Sequence, residues 1–595
     1  MAKRSSKGFY NWSYFLGLVA ILIFLNVIGS LVHMKADMTE DQRYSLAPGT
    51  KRFLSEEKNF PNRISVKIYL DGDLPADLQS FRNAIEDKLK DFKDLAGNRI
   101  EYQFINPNPE NAKEDEKRAL HTNLYKQGQG ILPMDVVYMK DGTQTQMMLW
   151  PGAEIAYSSN GIIKETTIQF LPGTQPGKPM NLDNLNETLE NALNNLEYNL
   201  LSAIRKITQI EKKRIAFLQG HGELKDGETI RARAILAPYF SLTKVNLNDT
   251  LSALDGVDGL IIADPKLPFT NKDLYIIDQF VMKGGKLMVF MNELQFIDDS
   301  LMARGVTHTM RKNLKIDNML FDYGIKIHEN LVVDAQCGPK IVPYADQTLV
   351  PWFFHILATP STHPITRNLE PVSLEYANEL QLINTTGVKL TKILTTSTNA
   401  NKTGLAPLIS LAMPASYGEN PKLAENPKDD VNKITLAAIA EGSFQSHFKN
   451  RIVGKFADPK LSGFLSQSKV ESKIFVVGNG RFLANEYDSM PDGKGGISFR
   501  ANPFNELKMN RVLAERRIPL FYGNQEFIQN LVDYMMGDNS VLDIRSRQID
   551  IKEIDKEKVK SQGKTLKYLN LFGPVLLILL FGFVMFLIRK MKYTK

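Results

Sequence analysis

The stretch Ile215-Ala-Phe-Leu-Gln-Gly-His-Gly-Glu-Leu224 decides the fold of the central part of this 595-residue chain. Four apolar residues come first and a glycine-rich turn follows, which is the pattern of a strand buried on both faces. Residues 229–240 then repeat apolar side chains at helical spacing, and a strand-like run follows at 242–247. Because buried strands that alternate with helices are typical of helix-covered parallel sheets, the sequence predicts an open, mostly parallel α/β fold.

The same alternation continues beyond this stretch. Apolar runs at 259–264 and 284–291 enclose a helical pattern over 272–283, and another run at 473–477 leads into a second glycine-containing turn. Residues 386–470 are less regular and include a segment rich in Asn, Pro and Lys. Such a composition favours loops, so we predict an irregular excursion from the sheet there.

A smaller α/β domain is predicted before this region. Strand-like runs at 64–70 and 98–107 flank the segment 78–95, whose apolar residues recur at the spacing of one helix face. Strand, helix and strand in this order predict a βαβ unit. A long helical pattern over 184–210 follows and connects the two domains.

Both ends of the chain carry an uncharged apolar run, at 12–32 and at 568–588. A helix of about 20 residues spans the ~30 Å hydrocarbon core of a bilayer. Lys3, Arg4 and Lys7 precede the first run, and four basic residues follow the second. Because short basic flanks stay in the cytoplasm, we expect two spans in a bacterial inner membrane, with both termini cytoplasmic and the bulk of the chain periplasmic.

A cleaved signal peptide is the alternative interpretation of the first run. Its apolar stretch is longer than the usual ~7–15 residues, and no clear small-residue cleavage site follows, so an uncleaved anchor is favoured. No cysteine follows the run directly, which excludes a lipoprotein anchor.

These patterns predict the organisation of the whole chain. Its segments are a cytoplasmic tail 1–11, a membrane helix 12–32, a periplasmic α/β domain 33–180, a connecting helix 181–211, a larger α/β domain 212–545 with its excursion at 386–470, a juxtamembrane segment 546–567, a membrane helix 568–588 and a cytoplasmic tail 589–595.

Composition and charge exclude several classes of function. The net charge of +7 is modest and the basic residues are spread along the chain, so the concentrated basic stripe of a nucleic-acid-binding protein is absent. Cys337 is the one cysteine, which rules out an intrachain disulfide. Its apolar, strand-like context favours a buried small residue over a nucleophile.

The turn after the first buried strand holds the main candidate site, because open α/β sheets bind ligands beyond the carboxyl ends of their strands. A histidine and a glutamate framed by glycines there can polarise a bound group, whereas the alternative is a tight structural turn. A second turn lies at the same predicted edge after 473–477. The candidate ligand- or partner-binding residues are Gly220, His221, Gly222, Glu223, Asn479 and Arg481.

Other chemistries lack their motifs in this sequence. The histidines are scattered, with His355 and His363 the closest pair, and no His-Glu-x-x-His is present, so we expect no metal site. The segment 173–179 has the wrong glycine spacing for a phosphate-binding loop, and 478–481 lacks the third glycine of a dinucleotide fingerprint. No nucleophile elbow is present either, so we expect no cofactor and no catalytic residues.

Several segments in combination resemble one family, and the likeness extends over nearly the whole chain, including both apolar ends. These segments are 37–46, 66–75, 196–198, 217–224, 277–285, 317–324, 529–534 and 544–547. The chain resembles the GldG family, the gliding-motility-associated ABC transporter auxiliary proteins of Bacteroidetes.

The resemblance implies a non-enzymatic component that works with a separate multi-span ABC permease and a cytoplasmic ABC ATPase. It also implies a core similar to the class I glutamine amidotransferase-like fold without the Cys-His-Glu machinery. Related proteins tend to carry Gly-Asp where this chain has Gly478-Asn479, which departs from the pattern at that turn. Two alternatives remain open: a solute receptor of an ABC importer, and an envelope hydrolase or transferase that uses His221 and Glu223.

Overall fold

The computed structural model describes most of the chain between Ser45 and Tyr593, together with nine residues of the first apolar run. The described ranges are 45–109, 111–125, 130–140, 142–159, 161–174, 179–209, 211–341, 349–367, 369–413, 433–450, 463–491, 496–510, 513–514, 516, 520–537, 544 and 556–593, with 12, 15–17, 19–21 and 23–24 before them. The chain forms two units, of which one is Tyr44–Arg547 and the other consists of Met1–Arg43 and Gln548–Lys595.

The N-terminal domain combines helices with two small sheets. Its helices are α1 (Pro48–Ser55), α2 (Ala76–Ala96), α3 (Glu114–Tyr125) and α4 (Asn186–Thr208), with 3-10 turns at Glu57–Asn59, Gly97–Arg99 and Leu182–Asn184. Its strands are β1 (Ile64–Ile68), β2 (Ile100–Phe104), β3 (Met134–Lys140), β4 (Thr143–Leu149), β5 (Gly152–Ser159), β6 (Ile162–Gln169) and β7 (Met180–Asn181).

The predicted βαβ unit is confirmed. Strands β1 and β2 run parallel, with Ile64 opposite Ile100, and α2 connects them. The helix forms because its apolar residues recur on one face, which is buried against the sheet. Those residues are Leu78, Phe81, Ile85, Leu89 and Phe92. Strands β5 and β6 extend this sheet in the order β2-β1-β5-β6, and β4-β3-β7 form a separate sheet.

Helix α4 confirms the long helical pattern and links the two domains through buried polar contacts. The Glu197 carboxylate accepts hydrogen bonds from the Ala47 backbone N–H at 2.7 Å and the Thr50 hydroxyl at 2.6 Å. On both sides of this contact, apolar residues of α4 such as Leu196 and Leu200 are buried in the core of the N-terminal domain. Near its end, the Arg205 guanidinium donates to the Asp533 carboxylate of the second domain at 2.7 Å.

The second domain contains the remaining elements of the larger unit. Its helices are α5 (Ile230–Leu236), α6 (Asn271–Met282), α7 (Asp298–Arg304), α8 (Ile316–Asp322) and α9 (Asn524–Met535), with 3-10 turns at Gly227–Thr229 and Gly480–Leu483. Its strands are β8 (Arg214–Gln219), β9 (Ser241–Asn246), β10 (Gly259–Ala263), β11 (Lys286–Phe290), β12 (Leu294–Gln295), β13 (Val306–His308), β14 (Met310–Arg311), β15 (Ile325–Ile327), β16 (Val332–Asp334), β17 (Cys337–Ile341), β18 (Leu349–Pro360), β19 (Val372–Glu375), β20 (Leu380–Leu382), β21 (Val388–Thr395), β22 (Ala400–Lys402), β23 (Leu408–Ser410), β24 (Thr435–Gly442), β25 (Ser472–Val477), β26 (Tyr487–Pro491) and β27 (Ile497–Ala501).

Five parallel strands form one half of the large sheet, as the alternating pattern predicts. They lie in the order β9-β8-β10-β11-β25, and every neighbouring pair is parallel. In chain order this is 2-1-3-4-5, the arrangement of doubly wound flavodoxin-like sheets. Helices α5 and α9 pack on one face and α6 and α8 on the other, so both faces are covered by apolar side chains.

The other half of the sheet is antiparallel, which corrects the prediction of a mostly parallel sheet. Strand β24 pairs antiparallel with β25, and β21, β18 and β17 follow in the same manner. Strand β24 is buried on both faces over Thr435–Ala440. Its apolar run therefore has the composition of a buried parallel strand, and composition carries no information about strand direction.

Residues 386–470, which we expected to be an irregular excursion, contribute strands β21 to β24, and β21 and β24 lie in the large sheet. Strand β21 is half-exposed, so its apolar residues do not form a continuous run. This explains why the sequence pattern did not reveal it. The Asn-, Pro- and Lys-rich segment itself, at 418–430, lies outside the described residues.

The terminal unit contains helix α10 (Lys556–Tyr593). Its segment Leu571–Ile588 is long and apolar enough to cross a membrane, and its side chains are exposed. In the first apolar run, 12–32, the nine described residues are helical, and the rest lie outside the described residues. The tail 1–11 and residues 546–555 of the juxtamembrane segment also lie outside them, so the two-span topology stays a prediction.

Candidate functional site

The carboxyl ends of the parallel strands bring four loops of the second domain to one edge of the sheet. The loop after β8 holds Gly220 to Glu223, and the loop after β25 holds Asn479 and Arg481. Strands β10 and β11 lie between these two loops in the sheet. The structure therefore places all six predicted residues at the predicted edge, but in two separate groups.

His221 is held on both sides by carboxylates. Its Nδ1 lies 3.2 Å from Glu223 Oε1, and its Nε2 lies 3.3 Å from Asp273 Oδ2. The His221 backbone N–H also donates to Glu223 Oε2 at 2.7 Å. The imidazole stacks on the Phe269 ring, with centroids 4.0 Å apart. The side chain is thus buried and oriented by contacts within the domain.

The electrostatics of this group favour a charged imidazolium. Burial alone lowers the pKa of His221, but the hydrogen bonds to Glu223 and Asp273 outweigh burial and raise this pKa above its ordinary value. Burial likewise raises the pKa of Asp273, whereas hydrogen bonds from Thr270 and His221 outweigh it and lower the pKa. Both ring nitrogens of His221 are therefore engaged as donors, and neither is free to accept a proton from a substrate.

Asp273 is the partner that the sequence analysis missed. It lies at the start of α6, where its carboxylate and the Thr270 hydroxyl form a capping box. The pattern Thr270-x-x-Asp273 is a recognisable helix start, but it gives no indication that the same carboxylate meets His221. His221 consequently ties the loop after β8 to the beginning of α6.

Backbone hydrogen bonds bridge the two loops that flank the usual ligand crevice of a 2-1-3-4-5 sheet. Ligands bind such sheets at the switch point, which in this domain lies between β8 and β10. The backbone N–H groups of Lys266 and Leu267 both donate to the His221 carbonyl oxygen at 2.8 Å. Gly220 and Gly222 have φ angles of 120° and 77°, which only glycine adopts without strain, so the tight-turn interpretation of the glycines is supported.

Asn479 and Arg481 also have partners inside the domain. The Asn479 side-chain amide donates to the Glu375 carbonyl oxygen at 2.7 Å, which joins the loop after β25 to the end of β19. The Arg481 guanidinium lies 3.0 Å from a Glu228 carboxylate oxygen, and the arginine side chain is 61 % exposed. Asn479 thus has a structural contact, and Arg481 forms a surface ion pair.

Two asparagines that the sequence analysis did not select organise the centre of this edge. The Asn292 side-chain oxygen accepts from the Gly480 N–H at 2.7 Å, and its amide group donates to the Gly478 carbonyl at 3.0 Å. The Asn378 side-chain oxygen accepts from the Glu293 N–H at 3.1 Å. Isolated asparagines in loops carry no sequence motif, so only the fold reveals this network.

Glu293 is the most unusual group at the edge. The residue is 1 % exposed, and within the described part of the chain neither of its carboxylate oxygens has a hydrogen-bond partner. Burial, reinforced by the nearby Asp317 carboxylate, raises the pKa of Glu293 to about 7. The neighbouring Lys312 ammonium is bound to Asp264 at 2.8 Å, so it does not neutralise Glu293 by direct contact.

Among the described residues, no three His, Cys, Asp or Glu side chains are grouped so as to hold a metal ion. Burial raises the pKa of the Cys337 thiol to about 11, which makes it a poor nucleophile. Burial also lowers the pKa values of His355 and His363.

Comparison with known families decides the assignment of the chain. Residues 212–510 match the family described as "ABC-type uncharacterized transport system". The chain belongs to this family. Residues 40–156 match a second family, described as "Domain of unknown function (DUF7088)". The transport-system family covers the parallel half of the sheet, the antiparallel half and both loop groups of the candidate site.

Other comparisons are less informative. No curated protein matches the chain. A solved structure titled "mmIFT52 N-terminal domain" is similar to 54 % of this chain and 97 % of its own, with 14 % sequence identity and a TM-score of 0.29. Membership of the transport-system family agrees with the expected ABC transporter auxiliary protein and implies association with transporter components in general.

Proposed function

We propose that this chain is a non-enzymatic, membrane-anchored component of an ABC transporter complex, with its large unit in the periplasm. The observation that carries the proposal is the family match over residues 212–510. The apolar helix segment Leu571–Ile588, whose side chains are exposed, supports a membrane anchor at the C-terminal end. The uncharged run at 12–32 supports a second anchor.

In this proposal, a separate multi-span permease binds the two terminal helices, and a cytoplasmic ATPase acts through that permease. The two anchors bring the periplasmic unit next to the permease, where it contacts the transported substrate or other envelope proteins. The segments that resemble GldG proteins support a role of the complex in gliding motility.

The contacts at the sheet edge support the absence of an enzymatic role. Both ring nitrogens of His221 are bound by carboxylates, and backbone hydrogen bonds bridge the two loops at the switch point. An envelope hydrolase or transferase that uses His221 and Glu223 needs a free imidazole nitrogen as a general base. The 2-1-3-4-5 strand order supports an amidotransferase-like core, while the one cysteine lies elsewhere, in the antiparallel strand β17.

Co-purification from native membranes tests the proposal. The full chain, tagged and expressed at its natural level, is expected to recover a multi-span permease and an ATPase after mild detergent extraction. A matched variant keeps residues 1–567 and carries an unrelated single-span helix in place of 568–588, and we expect it to recover less permease. Recovery of the full chain without any permease or ATPase contradicts the proposal.

Topology is tested separately. Reporter fusions after residue 250 and after residue 595 are expected to report a periplasmic and a cytoplasmic location, respectively. A cytoplasmic location for the fusion after residue 250 contradicts the proposed orientation.

A further inference from the structure

A cavity of about 140 Å³ lies in the antiparallel half of the second domain. Strands β17, β18 and β19 supply most of its walls, and Asn510 supplies one side chain from a later segment. The cross-strand register places His355 of β18 opposite Glu375 of β19. Lys340 of β17 and Trp352 of β18 complete the polar and aromatic lining.

The positive charge at the cavity belongs to Lys340, whose ammonium group lies over two aromatic rings. The Lys340 Nζ lies 5.4 Å from the Trp352 ring centroid and 5.7 Å from that of Tyr376. It also donates to the Tyr376 hydroxyl at 3.2 Å. Cation–π contacts of this kind restrict where the ammonium group lies, so the cavity presents a fixed positive charge.

The negative charge comes from Glu375 and is not neutralised by its neighbour. The nearest ion-pair contact among the described residues is His355, whose Nδ1 lies 3.9 Å from the carboxylate. Burial lowers the pKa of His355, so the imidazole is neutral at neutral pH. The Glu375 side chain is 57 % exposed, which leaves its carboxylate accessible to a positively charged group in the cavity.

Trp352 contributes its ring rather than its indole N–H to the same wall. The residue is 2 % exposed and its indole nitrogen is buried, so this donor is not accessible from the cavity. The ring lies close to the Lys340 ammonium and restricts its position.

We propose that this cavity binds a free small α-amino acid, whose carboxylate meets Lys340 and whose ammonium group meets Glu375. The volume sets the size, because a cavity of about 150 Å³ holds one benzene molecule, or about six heavy atoms. Alanine has that number of heavy atoms. A peptide or protein terminus lacks one of the two charges on the same residue, so free amino acids are favoured over chain ends.

The site is connected to the predicted one through the main chain. The carbonyl oxygen of Glu375 accepts the hydrogen bond from Asn479, so the loop after β25 helps to fix the residue that carries the negative charge. Gly338 fixes the opposite wall, because a Cβ there would collide with the His355 ring. The inference depends neither on the membrane topology nor on the ABC partners, so either can fail alone.

Calorimetric titration of the full chain in detergent tests the proposal with L-alanine, acetate and methylammonium as probes. L-Alanine is expected to bind saturably at one site. Acetate and methylammonium are each expected to bind at least about tenfold more weakly, because each meets only one of the two charges. L-Tryptophan is expected to bind more weakly than L-alanine, because its side chain exceeds the volume of the cavity.

Three variants then assign the charges. Lys340→Met is expected to weaken L-alanine and acetate alike by about tenfold or more, whereas Glu375→Gln is expected to weaken L-alanine and leave acetate unchanged. Trp352→Phe is expected to weaken both carboxylates by a smaller factor. Lys67→Met and Glu57→Gln, which change exposed residues of the N-terminal domain, are matched controls with unchanged binding.

Two results would overturn the proposal. One is the absence of saturable L-alanine binding to a full chain that unfolds cooperatively. The other is L-alanine binding that both Lys340→Met and Glu375→Gln leave unchanged, provided that the near-ultraviolet circular dichroism of these variants matches that of the natural protein.

Discussion

The two halves of the large sheet use their polar residues in opposite ways. In the parallel half, the polar groups of the loops bind one another: His221 is held between Glu223 and Asp273, and Asn479 bonds to the main chain. In the antiparallel half, Lys340, Glu375 and the Trp352 indole line a cavity, and the charge of Glu375 is not neutralised. Glu293 is the exception in the parallel half, because it is buried without a partner.

This difference shows that the carboxyl edge of a doubly wound sheet can serve a purely structural role. The edge binds ligands in many proteins because loops diverge there and leave a crevice. When backbone hydrogen bonds draw two of those loops together, as at His221 and Lys266, the same edge becomes part of the core. Changes in the parallel half should therefore alter stability, and changes around the cavity should alter binding.

The largest expected effect in the parallel half concerns the buried ion pair between α4 and α9. Asp533→Ala leaves the Arg205 guanidinium buried without the carboxylate that lies 2.7 Å away. Removing one partner of a buried pair typically lowers the free energy of unfolding by about 3–5 kcal/mol. Urea denaturation of the full chain in detergent, followed by near-ultraviolet circular dichroism, measures this loss.

The matched control replaces both partners with apolar residues of similar size. Arg205→Met together with Asp533→Leu removes both charges, so most of the lost stability is expected to return. If Asp533→Ala unfolds at the same urea concentration as the natural protein, the ion pair does not stabilise the contact between α9 and α4.

Glu293 gives the next largest effect and a specific pH dependence. Its pKa rises from 4.5 in the unfolded chain to about 7 in the folded one. Between these values the folded state keeps a proton that the unfolded state has lost, so stability falls as pH rises through this window. Above the window the full difference of about 3 kcal/mol destabilises the fold.

Glu293→Gln removes this titration while keeping the shape of the side chain. Its free energy of unfolding, relative to that of the natural protein, is expected to rise by about 3 kcal/mol between about pH 4 and about pH 8. Glu57→Gln, which changes an exposed carboxylate, is the matched control and should show no such rise. A pH-independent difference for Glu293→Gln would show that the buried carboxylate has an ordinary pKa in the folded state.

A variant of His221 gives the most direct test of the comparison between the two halves of the sheet. Its pKa is raised in the folded state, so its contribution to stability is full below the unfolded value near 6.5 and is lost as pH rises through the folded value. His221→Gln should lower the free energy of unfolding by about 2 kcal/mol at low pH, because hydrogen bonds to charged groups are lost. His308→Gln, at an exposed histidine, is the matched control.

The decisive readout for His221→Gln is that stability changes while L-alanine binding does not. A cavity variant such as Lys340→Met should behave in the reverse way. If His221→Gln weakens L-alanine binding as strongly as Lys340→Met does, the two halves are not independent and the comparison is wrong.

The fold was predictable from sequence wherever neighbouring residues determine the structure. The apolar face of α2 and the buried run of β8 are local patterns, and both predicted the correct element. The positive φ angles of Gly220 and Gly222 also follow from local turn chemistry. Strand direction is not local, because the buried run of β24 is equally compatible with either direction.

The sites were less predictable, because their residues meet only after folding. Asp273 is 52 residues from His221, and the two residues form no spacing motif. The cavity is more dispersed still, since its residues range from Pro339 to Asn510 along the chain. The glycine-rich turns form recognisable local patterns in the sequence. The residues that line the cavity are spread over three strands and form no such pattern.

Arg481 gives the smallest expected effect and tests whether the predicted edge has any role in stability beyond its buried contacts. Its ion pair with Glu228 is exposed, and such pairs contribute between zero and about 1 kcal/mol because water and salt screen the charges. Arg481→Ala should therefore leave the urea midpoint nearly unchanged, both in dilute buffer and at high salt. Since the side chain extends into solvent, it is also the one charged side chain among the predicted residues at this edge that is placed to contact a partner protein. Loss of permease recovery by Arg481→Ala, with stability and L-alanine binding intact, would mean that the parallel edge serves as an interaction surface although backbone hydrogen bonds bridge its loops.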